Sequence, residues 1–162
     1  MTAAAVLTVS DRVSRGEAED GSGGVLEELL RADGYDVTRR VVPDERDAIE
    51  AAIVALAAQA SLVLTTGGTG LSPRDVTPEA TRAVIEREAP GIAEAIRADS
   101  VRRTPHAVLS RGVAGTIGPA LVVNLAGSPG ACRDGYAVLR PALAHALKLL
   151  SDAPAANDHE PT

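Results

Sequence analysis

Apolar positions along this chain fall into two alternating kinds of block. Residues 3–9, 61–66 and 121–125 are short, nearly unbroken runs of Ala, Val and Leu, the pattern of strands buried on both faces. Residues 35–42, rich in β-branched side chains, supply a fourth strand. Between them the spacing turns helical. Val25, Leu26, Leu29 and Leu30 share one face; Ile49, Ile53 and Leu56 stand at i, i+4 and i+7; Ile92 and Ile96 follow Pro90-Gly91; Tyr136, Leu139, Leu143, Leu147 and Leu150 form the last stripe. The punctuation agrees. Gly34 suits a helix C-cap, Pro43-Asp44-Glu45 opens the second helix, and Thr77 is placed to cap a helix with Pro78 at its first position and its end near Arg87. The pattern leaves residues 13–24 as a polar, glycine-containing loop, residues 108–117 as a strand or loose hairpin, and Pro141 as a kink or restart in the last helix. Residues 1–152 read as one domain, and residues 153–162, without periodicity, as a disordered tail.

Strands alternating with helices imply an α/β fold with a mostly parallel sheet covered on both faces. Ligands on such sheets bind at the carboxyl ends of the strands. Four chemically suggestive loops lie there: Ser10-Asp11-Arg12, Pro43-Asp44-Glu45, residues 65–75 and residues 127–130.

Composition narrows the field. The 162 residues suit one sizeable core, and with no Phe or Trp and two Tyr there is no aromatic platform for single-stranded nucleic acid. A net charge of −6 without a long basic run argues against general nucleic-acid binding, and Arg102-Arg103 reads as a solvated loop pair. The single cysteine, Cys132, allows neither an internal disulfide nor a cysteine-built zinc site and reads as a buried small hydrophobe. The first ten residues lack a signal-peptide pattern and no apolar run reaches membrane-spanning length, so the expectation is a cytoplasmic protein.

The densest chemistry lies in Thr65-Thr66-Gly67-Gly68-Thr69-Gly70 and the following Leu71-Ser72-Pro73-Arg74-Asp75. A strand that empties into three glycines can present backbone amides to a phosphate, and Arg74 with Asp75 suits phosphate and metal together. It is not a Walker A loop, because the chain's one lysine is Lys148 in the last helix. Nor is it a Rossmann fingerprint, since Gly21-Ser22-Gly23-Gly24 stands too far from the first strand and has Leu26 where the third glycine belongs.

The run TTGGTG-LSPRD-VTPEAT, with Ser10-Asp11-Arg12, Pro43-Asp44-Glu45 and Leu125-Ala126-Gly127-Ser128-Pro129, resembles the MogA/MoaB family of molybdenum cofactor biosynthesis, related to the G domain of gephyrin and plant Cnx-type proteins. The likeness spans residues 3–150, and RDVTPEAT is more similar to the MogA type. The resemblance implies a three-layer α/β/α sandwich, a cytoplasmic homotrimer, and Mg²⁺-dependent transfer of AMP from ATP to the terminal phosphate of molybdopterin, with contact to a molybdate-inserting enzyme. It implies that Asp44 and Asp75 are the family's two essential, catalytic aspartates; since the attacking phosphate is already anionic, they make most sense as Mg²⁺ holders, Asp75 first with Asp44 bracing the metal or its waters. It places Thr66, Gly67, Gly68, Thr69 and Gly70 in one substrate loop and Gly127, Ser128 and Pro129 in a second. Ser10, Asp11 and Arg74 join them as candidate substrate contacts. The alternative is a non-catalytic molybdopterin-binding or carrier protein of the MoaB type.

Residues 20–23 read either as a segment closing over the pterin or as a plain turn, and simpler roles stay open for several other residues: helix capping for Asp44 and Ser128, a surface carboxylate for Asp75, strand termination for Ser10 and Asp11, and a bystander role for His106. The chain also departs from the family pattern, with Ala126 for a proline and Gly130 for a lysine in the second loop.

Overall fold

A computed structural model describes residues 1–152; the expected tail lies outside the described residues. Six strands form one sheet in the order β2-β1-β3-β6-β5-β4. They are β1 Ala3–Val9, β2 Asp36–Val42, β3 Leu62–Thr66, β4 Arg87–Glu88, β5 Ala114–Ile117 and β6 Ala120–Leu125. The first four in that order are parallel, and β5 and β4 extend the sheet antiparallel at one edge. The period-2 alternation of strands divides the apolar runs between two cores. Ala4, Val6, Leu62, Leu64, Leu121, Val123 and Leu125 face α2 Gly21–Ala32 and α6 Pro129–Ser151. Ala5, Leu7, Val9, Val63 and Val122 face α3 Arg46–Ala57 and α4 Thr77–Val84. The result is the three-layer α/β/α sandwich.

Several boundaries differ from the sequence pattern. Residues 13–24 are not all loop: Asp11–Ser14 form a short helix, α1, and Asp20 caps α2 by accepting the Gly23 N–H at 3.0 Å, so the Gly-Ser stretch is a helix start. Helix α3 begins at Arg46 with Glu45 at its cap position, leaving Asp44 free of capping. Thr77 lies inside α4 and is fully buried. That helix stops at Val84 because the chain then extends to join the sheet edge, where Glu86 and Ala89 donate to Thr116 and Ala114 of β5. Residues 105–109 form a 3-10 turn, and β5 with β6 makes the hairpin. Arg102 and Arg103 belong to the last turn of α5 Pro90–Arg103, where Arg103 pairs with Asp99. Helix α6 runs unbroken through Pro141.

Candidate active site

Order in the sheet brings all four suggestive loops to one end, around the point where the chain runs outward from β1 to β2 and then returns past β1 to β3. Ser10 ends β1, donates its N–H to Val42 at the end of β2, and caps α1 through its hydroxyl. Asp11 and Asp44 then lock the two loops reciprocally. The Asp11 N–H donates to the Asp44 carboxylate at 2.9 Å, and the Asp44 N–H donates to the Asp11 carboxylate at 3.0 Å.

The glycines of the β3 loop are required by contact as well as by conformation. Gly67 and Gly68 have φ of 98° and 69°, the left-handed region. A Cβ on Gly67 would stand 2.3 Å from the Val9 carbonyl; one on Gly68 would stand 2.3 Å from the Thr77 hydroxyl and 3.2 Å from an Asp44 carboxylate oxygen. Thr77 fastens this turn, its hydroxyl donating to Gly67 O and its N–H to Gly68 O. Gly127 of the second loop packs on Gly67, its would-be Cβ 3.3 Å from the Gly67 Cα. On the far side, a Cβ on Gly70 would lie 2.8 Å from the Asp75 carboxylate. The loop is thus bracketed by two carboxylates, Asp44 at Gly68 and Asp75 at Gly70.

Each of those carboxylates spends one oxygen on a backbone amide. Asp44 accepts from Asp11 and Asp75 accepts from Ser72 at 3.1 Å, and the other oxygen of each has no hydrogen-bond partner among the described residues. Burial pushes the Asp44 carboxyl above the usual range, and the charges of Asp11 and Asp75 add to that. Asp11 moves the opposite way, held low first by Arg74, whose guanidinium grips it with two bonds of 2.9 and 3.0 Å, and then by the Asp44 amide. Arg74 is therefore engaged at the rim with Asp11 rather than turned into the loop.

Two clefts open here, sharing the paired glycine loops as a wall. One, about 390 Å³, holds Ser10, Asp20, Thr66, Asp44, Asp75 and Pro129 with Gly67, Gly68 and Gly127. The other, about 560 Å³ and mainly apolar, lies between α5, the 3-10 turn and the start of α6. Thr69, Gly70 and Ser128 face this second cleft, as do His106 and Gly130. Ser128 also caps α6, accepting the Ala131 N–H at 3.1 Å. Cys132 is buried beneath the wall against Thr66, where burial pushes its thiol up to about 11, so it is no nucleophile at neutral pH.

Among the described residues no three His, Cys, Asp or Glu side chains converge on a preformed metal cage. Two carboxylates that line one cleft with the glycine loop, each with an oxygen free of protein donors, instead suit Mg²⁺, which commonly binds through one or two carboxylates plus substrate phosphates and water. Sequence reasoning half-reads one residue of the site and misses two. Asp20, offered within residues 20–23 as either a turn or a segment closing over the substrate, lines the first cleft and accepts from Thr8 at 2.8 Å and from Arg39 at 2.7 Å. Thr77, which the sequence pattern offers as a helix cap, is the loop's fastener. Arg111, whose guanidinium reaches carbonyls of the glycine loop, carries no local signal.

Residues 5–145 match the family described as "Probable molybdopterin binding domain". The chain is 39% identical over 150 residues to molybdopterin adenylyltransferase of Helicobacter pylori strain J99, covering 90% of this chain and 85% of the relative. It is likewise 39% identical to molybdenum cofactor synthesis protein cinnamon of Drosophila melanogaster, covering 91% of this chain but spanning only 25% of that longer protein. Among solved structures, MoaB from Thermus thermophilus superposes with a TM-score of 0.87 at 44% identity, covering 95% of this chain and 99% of that one. The Mog protein from Mycobacterium ulcerans gives the same TM-score at 42% identity, covering 93% and 99%. With most of its length matched by the family and its fold shared at this identity, the chain belongs to the molybdopterin binding domain family of molybdenum cofactor biosynthesis.

Proposed function

We propose that this protein transfers AMP from ATP to the terminal phosphate of molybdopterin and releases pyrophosphate. The observation that carries the reading is the pair Asp44 and Asp75, each with one open oxygen, flanking the Gly67–Gly70 backbone. The attacking phosphate monoester is already anionic at neutral pH, so no strong general base is needed. One of its oxygens bonds to the α-phosphorus of ATP while the α–β bridging bond breaks and pyrophosphate departs with that electron pair. What the reaction needs from the protein is alignment and charge neutralisation. Amides of the glycine loop would bind phosphate oxygens, and the two clefts on either side of the wall would take the two ring systems, bringing their phosphates together over the loop. Mg²⁺ held by Asp44 and Asp75 would offset the negative charge of the reacting phosphates. Arg74 remains a candidate phosphate contact once an anion competes with Asp11 for it.

The relatives named molybdopterin adenylyltransferase support this chemistry. The family resemblance is the ground for proposing a cytoplasmic homotrimer in transient contact with a molybdate-inserting enzyme. No helix among the described residues is long and apolar enough to cross a membrane. Gly130 supports a second reading, a molybdopterin carrier: it stands at the mouth of the apolar cleft where a lysine would bring a cation, and nothing lies within 4 Å of its would-be Cβ. Incubation with molybdopterin, ATP and Mg²⁺ separates the two. Adenylylated pterin with an equal yield of pyrophosphate supports the enzyme, and pterin binding without pyrophosphate leaves the carrier. Light scattering of the purified protein tests the trimer.

A further inference from the structure

Arg111 lies on the irregular segment between the 3-10 turn and β5, outside every motif that pointed to the site. Its three guanidinium nitrogens have three different partners. Nε donates to Gly70 O at 2.8 Å, one terminal nitrogen donates to Asp75 O at 2.8 Å, and the other pairs with Glu79 in the first turn of α4. Its backbone N–H donates to Thr69 O at 2.8 Å. These contacts fall on both ends of residues 70–75, a stretch without helix or strand of its own. The segment that carries Arg111 is itself held from α5, where Arg97 donates to Ser110 O at 3.1 Å and to Gly112 O at 3.0 Å.

We propose that Arg111 is a positioning residue: by tying the Gly70 and Asp75 carbonyls to one rigid guanidinium, it fixes the Asp75 carboxylate against the phosphate-binding loop. Because its nitrogens are committed to carbonyls and Glu79, Arg111 acts on substrate only through the loop. A planar fork is what the task requires. An ammonium is a single point with a flexible stem and cannot bridge three acceptors set at fixed angles. Glu79 orients the fork, and a neutral amide at that position retains an oxygen acceptor for it.

The catalytic consequence rests on the adenylyl-transfer reading; the structural consequence does not, and the test separates them. Amide hydrogen exchange is measured across the chain for wild type, Arg111→Lys, Arg111→Gln and Glu79→Gln. The arginine variants are expected to exchange about tenfold or more faster at residues 69–75 while β1, β3 and β6 keep wild-type protection, and Glu79→Gln is expected to stay near wild type. In turnover assays Arg111→Lys should lose on the order of 10- to 100-fold in kcat and need roughly tenfold more Mg²⁺ for half-maximal rate, with KM for molybdopterin within about twofold of wild type. Wild-type exchange at residues 69–75 in both arginine variants would overturn the proposal. So would loosening spread equally through the sheet, or a fall in kcat with the Mg²⁺ requirement unchanged. If wild type binds both substrates yet releases no pyrophosphate, the adenylyl-transfer reading fails, and the exchange data alone still decide whether Arg111 fixes the loop.

Discussion

Asp75→Asn changes charge with little change of shape, since an amide oxygen can still accept the Ser72 N–H. Turnover should fall by about 100-fold or more while melting temperature and much of the pterin affinity persist, as measured by pyrophosphate release, thermal unfolding and pterin titration. Wild-type turnover would remove Asp75 from the metal assignment. Asp44 invites a pH experiment. Its folded-state carboxyl lies above the ordinary 3.8, through burial first and neighbouring carboxylates second, so it takes up its proton at higher pH than a free aspartate. In an NMR titration of the protein without Mg²⁺, the Asp44 midpoint should therefore lie above that value. Asp11→Asn removes one of the charges that raise it and should move the midpoint to lower pH; a midpoint that stays put would show that Asp11 does not act on Asp44 through its charge. The same sign governs stability. Ionised Asp44 opposes folding, a cost absent below its unfolded value and fully present above its folded one. Asp44→Asn should be at least as stable as wild type at neutral pH in a urea titration.

Elements are joined by a buried polar centre that no periodicity announces. The Asn124 amide donates to Thr65 and Thr81 at 2.9 and 3.0 Å and its oxygen accepts the Val113 N–H at 3.1 Å, so one side chain ties β6 to β3, α4 and the lead-in to β5. Asn124→Leu leaves the Val113 N–H and the Thr65 hydroxyl buried without their Asn124 partner, while Thr81 keeps its bond to the Thr77 carbonyl, and should cost about 2–3 kcal/mol, read from the urea midpoint. An unchanged midpoint would mean that water or repacking satisfies them. The central strands were legible because both faces of β1, β3 and β6 are buried, which makes their sequences continuous apolar runs. Strand β4 was not legible: Arg87 and Glu88 are exposed edge residues, and α4 gives way to them only because β5 offers hydrogen-bond partners from afar. Asp44, Asp75 and the glycines could be picked out because turn chemistry and charge cluster locally. Arg111 could not, since its carbonyl partners lie 41 and 36 residues earlier in the chain.

The molecule as a whole keeps its two sheet ends in different electrostatic states. At the carboxyl end, Asp44 and Asp75 are left partly unmatched, and like charges crowd the half-buried Asp44. At the amino end the acid is fully matched. Asp33, at the end of α2, accepts the Tyr136 hydroxyl at 2.7 Å and both arms of Arg140 at 2.7 Å, clamping α2 to the middle of α6. Arg140 and then Tyr136 hold the Asp33 carboxyl below its ordinary 3.8. A depressed carboxyl contributes stability that is fully present above its unfolded value and lost as pH falls through its folded one. Tyr136→Phe keeps the buried ring, which is 2% exposed, and removes only the hydroxyl. It should cost about 1 kcal/mol at neutral pH, and the deficit should shrink as the solution is acidified below about pH 4 and Asp33 is protonated in both proteins. Pyrophosphate release should be unaffected, because the clamp lies at the end of the sheet opposite the clefts. A deficit that persists undiminished into acid would place its origin in packing around the ring, and a parallel loss of turnover would show that the two ends are coupled through α6, whose first turn builds the second loop and whose middle carries the clamp.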